Sequence, residues 1–96
     1  MGIDELLKEK REEVLRIAAK HGACNVRIFG SVARGEAGPE SDVDLLVDIG
    51  STHSSWFPAG LVLELEELLG LKVEVITEAS VYPPLKQRIL EEAVLL

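Results

Sequence analysis

Apolar residues follow two recurring patterns along this chain, and each predicts a type of secondary structure. Helical spacing, with apolar positions three or four residues apart, covers residues 3–21, 58–69 and 83–96. Short runs rich in valine, leucine and isoleucine, typical of β-strands, cover residues 24–29, 42–49 and 71–77. Glycine or proline stands between most of these runs. The predicted order is therefore helix, strand, turn, strand, helix, strand, helix.

Some positions within these elements carry expectations about packing. Cys24 shares a strand face with Val26 and Ile28, so we expect a small buried cysteine; the sequence indicates no base that would make it a nucleophile. His21 is expected at the end of the first helix, where positive charge is favoured. The last helix is expected to run almost to Leu96 and to pack across the sheet.

Two apolar segments have more than one interpretation. The chain end Val94-Leu95-Leu96 suits either the core or a surface for a second chain. Trp56 and Phe57 follow the polar connection 50–55, and an aromatic there can stack on a base, face a partner or anchor the helix that follows. Anchoring is the commoner role.

The element order and the length predict an α+β fold, in which a mixed sheet carries helices mainly on one face within a single domain, residues 1–96. A 47% hydrophobic composition is that of a folded protein. The net charge of −7 argues against a sequence-independent grip on nucleic acid. With one cysteine and no apolar run long enough to cross a membrane, we expect a cytoplasmic protein without an internal disulfide.

Two carboxylates on the second strand are the first candidate for chemistry. Successive side chains of a strand alternate between faces, so Asp42 and Asp44 share one face, with Cα atoms roughly 6.5–7 Å apart. Like charges at that spacing repel each other, and a divalent cation between them would remove the repulsion. An EF-hand is excluded, because Leu45 and Leu46 stand where it needs an oxygen ligand and a glycine.

A glycine-bounded turn precedes these carboxylates. Gly30 lets the backbone approach a ligand, Ser31 offers a hydroxyl, and Arg34 adds a cation before Gly35 ends the turn. These residue types suit a phosphate. The turn is not a Walker loop, because Gly35 is not followed by lysine and then serine or threonine.

The spacing Gly-Ser-x-x-Arg-Gly, then six residues, then Asp-x-Asp, resembles the nucleotidyltransferase superfamily typified by DNA polymerase beta. In particular it resembles the minimal nucleotidyltransferases, which are paired with a HEPN-domain partner. The resemblance implies that Asp42, Asp44 and Glu74 bind two Mg²⁺ ions and act in catalysis. It also implies that Gly30, Ser31 and Arg34 bind the phosphates of ATP, and that Ser41 orients the Asp42 region.

Glu74 departs from that family pattern, in which the third acidic residue is usually aspartate. It lies in the third strand on the opposite face from Val73 and Val75. Apart from a metal role, Glu74 could point to solvent or pair with a cation such as Arg27.

The resemblance implies transfer of AMP to a tyrosine of a HEPN toxin, with this chain as the antitoxin. Two alternatives remain at this point. The chain could neutralise its partner by stoichiometric binding, with a vestigial or regulatory nucleotide pocket. It could instead modify a small molecule, with an acceptor site built across a homodimer.

Overall fold

The computed structural model describes residues 3–36, 38, 42–50 and 57–96. Four α-helices, four strands and one short 3₁₀-helix lie within this part of the chain. In chain order they are α1 (Ile3–Lys20), β1 (Ala23–Phe29), α2 (Gly30–Ala33), β2 (Val43–Ile49), α3 (Ala59–Leu69), β3 (Val73–Thr77), the 3₁₀-helix (Glu78–Ser80), α4 (Pro83–Glu92) and β4 (Val94–Leu95).

The strands form one mixed sheet in the order β3-β2-β1-β4. β1 is antiparallel to both β2 and β4, whereas β2 and β3 are parallel. A parallel pair needs a crossover connection, and α3 supplies it between β2 and β3. The α+β prediction of a mixed sheet with helices is confirmed.

The core lies between one face of the sheet and the helices α1 and α3. Leu7 and Val14 of α1 and Leu61 and Leu65 of α3 are buried there. From the sheet, buried residues include Val26, Val43, Leu45, Val47, Val73 and Val75. Val32 of the short α2 also belongs to this cluster, which fixes the turn after β1 against the core. Gly70 ends α3 in a left-handed conformation, as a helix C-terminus favours.

The prediction that Cys24 is buried is wrong. Cys24 is exposed. It pairs with Asp48, and Arg27 pairs with Leu46, so β1 has two residues between these pairs where β2 has one. The extra residue makes a β-bulge, in which Asn25 has a positive φ of 48°. The bulge breaks the two-residue alternation, so Ala23 and Val26 face the core and Cys24 does not.

The C-terminal segment also differs from its prediction. The last helix ends at Glu92, and Val94 and Leu95 form an edge strand beside β1 instead of a further helical turn. Ala93 has an extended backbone, and Leu96 N–H donates to Val26 O at 3.0 Å. α4 has no fully buried residue and packs mainly against α2. The prediction that this helix packs across the sheet is therefore wrong.

His21 plays a larger part than a residue that only sits at a helix end. It is buried, and its Nε2 lies 2.9 Å from Glu64 Oε1, while Lys20 Nζ lies 2.8 Å from the same oxygen. These contacts join the end of α1 to α3. They lower the pKa of Glu64, first through the hydrogen bond from Lys20 and then through that from His21.

No helix in the described part of the chain is both long and apolar enough to cross a membrane. Of the aromatic pair, Trp56 lies outside the described residues, whereas Phe57 is partly buried and packs against the core. Phe57 therefore has the anchoring role.

Candidate active site

A row of three residues crosses the sheet on the face opposite the core. Phe29 of β1 and Glu74 of β3 are both Cα partners of Asp44 in β2. Cross-strand partners place their side chains on the same face, so the two carboxylates lie side by side. Asp44 is partly buried, and Glu74 is exposed. Asp42 is exposed and stands just before β2, two residues from Asp44.

The carboxylates affect one another electrostatically. The pKa of Asp44 is raised from its ordinary value of 3.8 to about 6, first because burial disfavours the charged form. The negative charges of Glu74 and Asp42 add to the shift, as do a hydrogen bond with Glu74 and the charge of Glu92. Four acidic side chains therefore share one region, and a cation there would favour the ionised form of Asp44.

Gly30 lies directly against this group. Its φ of +76° is a left-handed conformation that side chains other than glycine's rarely adopt. A Cβ at this position would overlap Asp44 Oδ2 and would come within 3.2 Å of Asp44 Cγ. The backbone of the turn thus touches the carboxylate because residue 30 lacks a side chain.

The turn after β1 is closed by its own backbone. Arg34 N–H donates to Gly30 O at 3.1 Å, and Glu36 N–H donates to Ser31 O at 2.9 Å. The Arg34 guanidinium donates to Glu36 at 3.0 Å and to Glu92 at 2.5 Å. The pKa of Arg34 is raised, chiefly by the hydrogen bond to Glu36.

The face that carries Asp44 is open only in part. Leu46, two residues further along β2, is fully buried, and its partner across the sheet is Arg27. Arg27 donates to Asp48 at 2.8 Å and to Glu78 at 3.4 Å. The open region is therefore confined to the end of the sheet where Asp44 and Glu74 stand.

The sequence matches the family model for the nucleotidyltransferase domain over residues 6–96. This chain belongs to the nucleotidyltransferase family. The prediction that it is an enzyme of this class is confirmed.

Individual proteins similar to this nucleotidyltransferase agree with that assignment. The Methanocaldococcus jannaschii protein MJ0435, whose name assigns it to the protein adenylyltransferases, is 44% identical over 92% of this chain and 95% of its own length. The protein adenylyltransferase MntA of Thermococcus cleftensis is 34% identical over 96% of this chain and 90% of its own length.

Solved structures show the same fold. A structure described as a minimal nucleotidyltransferase is 47% identical, covers 96% of this chain and 94% of its own, and superposes with a TM-score of 0.84. A toxin-antitoxin structure with AMP-PNP superposes with a TM-score of 0.74 at 19% identity, over 88% of this chain and 69% of its own. At that identity, the second likeness concerns the fold alone.

The nucleotidyltransferase brings together most of the residues that its sequence singled out. Asp42, Asp44 and Glu74 lie near one another, Gly30 contacts Asp44, and Arg34 pairs with Glu92, whose charge acts on Asp44. Ser31 directly follows Gly30 in α2, and Ser41 lies outside the described residues. The pairing of Glu74 with Arg27 is not found, since the recorded side-chain partners of Arg27 are Asp48 and Glu78.

The donor chemistry of this region fits a divalent cation, although the carboxylates are not arranged as a closed cage. Carboxylate oxygens are the ligands that Mg²⁺ prefers, and the raised pKa of Asp44 reflects burial first and then repulsion from neighbouring carboxylates, which a cation would offset. Within the described part of the chain, no group of three or more histidine, cysteine, aspartate or glutamate side chains is already placed to hold a metal. The three-ligand set of Asp42, Asp44 and Glu74 stays a prediction.

Sequence reasoning missed Glu92. Its side chain is only 15% exposed, pairs with Arg34, and adds negative charge near Asp44. It is separated from Arg34 by 58 positions, and no spacing rule links the two. A charged residue near the end of an amphipathic helix ordinarily indicates a solvated face.

Proposed function

We propose that this nucleotidyltransferase transfers AMP from ATP to a hydroxyl group of a partner protein. The observation that carries the proposal is the position of Asp44: Glu74 stands beside it in register, and the Gly30 backbone touches it. A phosphate-binding turn next to a carboxylate cluster is the arrangement that metal-assisted nucleotidyl transfer requires.

In this proposal Asp42, Asp44 and Glu74 hold two Mg²⁺ ions, which supply charge neutralisation at the triphosphate and activation of the acceptor hydroxyl. Glu74 also accepts the proton of that hydroxyl as the oxygen attacks the α-phosphorus. The bond between the α- and β-phosphates then breaks, so the products are an adenylylated acceptor and pyrophosphate.

The Gly30–Ser31 turn binds the β- and γ-phosphates through backbone N–H groups and the Ser31 hydroxyl. Ser41 orients the Asp42 region. Arg34 as a further phosphate contact stays a prediction, because its guanidinium already donates to Glu36 and Glu92 and would have to exchange a carboxylate for a phosphate.

A protein acceptor is supported by the relatives, whose names describe protein adenylyltransferases. We propose a tyrosine of a HEPN-domain toxin as the acceptor, with this chain acting as the antitoxin. Structures of toxin-antitoxin pairs share the fold. A tyrosine hydroxyl is more acidic than an aliphatic one, so a carboxylate base such as Glu74 can remove its proton more readily.

The test incubates the purified chain with Mg²⁺, ATP labelled at the α-phosphate, and the protein encoded by the neighbouring gene. Label should appear on a tyrosine of that protein, and it should be absent with Asp44→Asn or with EDTA. A tight complex that carries no label would instead identify stoichiometric neutralisation. Label on a small molecule, without the neighbouring protein, would identify the homodimer alternative.

A further inference from the structure

The Arg34–Glu92 ion pair connects two distant parts of the fold at the edge of the carboxylate region. The nitrogen and oxygen are 2.5 Å apart, and the Arg34 side chain is 39% exposed while that of Glu92 is 15% exposed. A short pair with one largely buried carboxylate is worth more than a solvated surface pair. Its effect depends on what each end holds.

At the Arg34 end, the pair holds the Gly30–Ser31 turn. The backbone N–H groups of Arg34 and Glu36 donate to the carbonyls of Gly30 and Ser31, and the side chains of Arg34 and Glu36 pair with each other at 3.0 Å. Arg34 and Glu36, whose N–H groups hold the turn's carbonyl groups, are thus also joined to each other through the Arg34 guanidinium. A shift of Arg34 would change the direction of the turn.

At the other end, Glu92 is itself held by the sheet. It is the last residue of α4, and Val94 two positions later is the Cα partner of Ile28 in β1. Leu96 N–H donates to Val26 O at 3.0 Å and secures the same segment. Both ends of the ion pair are therefore anchored, and its side chains bridge the turn after β1 and the end of α4.

We propose that Arg34 and Glu92 form a positioning pair, which holds the Gly30–Ser31 turn in the orientation that binds the polyphosphate of ATP. The inference rests on the proposed function and changes the role of Arg34 from phosphate contact to support. The two roles predict opposite effects of removing Glu92. If Arg34 supports the turn, removal of the Glu92 carboxylate lowers the affinity of the protein for ATP. If Arg34 contacts a phosphate, removal of this competing carboxylate raises that affinity.

The experiment measures the dissociation constant of ATP in saturating Mg²⁺ for the full chain by isothermal titration. Arg34→Gln and Glu92→Gln should each weaken binding by about tenfold, and the double variant should be no more than about threefold weaker than either. Arg34→Lys, which keeps a cation beside Glu92, should recover part of the affinity. In the transfer assay, KM for ATP should rise while kcat stays within about threefold.

The matched control is Glu91→Gln. Glu91 is exposed on the same helix end, and its recorded partner is Gln87 at 3.0 Å, so this variant removes the same charge without touching the ion pair. Its affinity for ATP should equal that of the wild type. Melting temperatures of all variants should be measured, so that affinities are compared among folded proteins.

Three results would overturn the positioning pair: tighter ATP binding by Glu92→Gln, additive losses in the double variant, or unchanged affinity in both single variants. Additive losses would return Arg34 to phosphate binding. These failures leave the proposed function intact when the wild type binds ATP with Mg²⁺. A wild type that binds no ATP would overturn both.

Discussion

Gly30 contacts the carboxylate of Asp44 so closely that a single methyl group at residue 30 would overlap Asp44 Oδ2. This contact joins the turn that is proposed to bind phosphate to the carboxylate that is proposed to bind metal. The contact exists because Gly30, which has a left-handed backbone and no side chain, directly follows Phe29, and Phe29 lies opposite Asp44 in the sheet.

Gly30→Ala should therefore damage both stability and activity. The positive φ alone costs about 1 kcal/mol for alanine, and the overlap with Asp44 adds a further loss of about 1–2 kcal/mol. Urea unfolding and the AMP-transfer assay measure the two effects. Gly35→Ala is the matched control, because Gly35 has a φ of +73° but open space at the Cβ position. Equal stability and activity losses in the two variants would show that the contact with Asp44 is unimportant.

The raised pKa of Asp44 predicts how stability depends on pH. Because the folded carboxyl binds its proton more tightly than the unfolded one, stability falls as pH rises from about 3.8 to about 6. Asp44→Asn removes this loss, so at pH 7.5 in EDTA it should be more stable than the wild type by on the order of 1 kcal/mol. At pH 4 the advantage should be small.

Urea unfolding at the two pH values measures this difference. Asp48→Asn is a useful contrast, since Asp48 accepts a hydrogen bond from Arg27 and its loss should destabilise the protein at pH 7.5. An Asp44→Asn variant less stable than the wild type at pH 7.5 would contradict the electrostatic account. Transfer activity should be lost in Asp44→Asn and in Asp42→Asn.

Mg²⁺ and ATP should bind together, because ATP alone brings more negative charge to a region that already contains Asp42, Asp44, Glu74 and Glu92. ATP should raise the melting temperature clearly more with Mg²⁺ than with EDTA. A thermal shift assay measures this, with Mg²⁺ alone as the control. The metal assignment fails when the two shifts are equal.

Glu74 is the residue that the register of β2 and β3 places beside Asp44. As the proposed ligand and base, Glu74 would act on the transition state, so Glu74→Gln should lower the transfer rate by about 100-fold with little change in ATP affinity. Glu74→Asp should retain much of the activity. Glu67→Gln, an exposed glutamate on α3, serves as the control. Near-normal turnover by Glu74→Gln would reduce Glu74 to a solvent-facing residue and favour stoichiometric binding.

The exposed edge strand β4 is the surface we expect a partner protein to cover. Leu95 is 68% exposed, and Leu63 on α3 is 66% exposed, which makes Leu63→Ser a matched control. Leu95→Ser should weaken the complex with the partner by about tenfold and leave ATP binding unchanged. Titration of each variant with the partner measures this. Similar losses from both substitutions would indicate a general effect of surface polarity, not an interface at β4.

Local sequence was enough to predict most of the elements, though not β4, and the chemistry that lies within one of them. Asp42 and Asp44 are two residues apart, which is enough to predict that their carboxylates lie near each other, and the charge of Asp42 does raise the pKa of Asp44, although Asp42 stands just before β2. Gly30 and Ser31 at the end of an apolar run likewise predict a turn. These features depend on backbone preferences that act over a few residues.

Only the tertiary structure decided which distant residues meet the carboxylates. The parallel register places Glu74 beside Asp44, and the pairing of β4 with β1 brings Glu92 to Arg34. Strand register and helix docking are selected by the burial of the whole core, a sum over many contacts that no short pattern contains. The bulge at Asn25 illustrates the same limit, because one inserted residue reversed the predicted burial of Cys24.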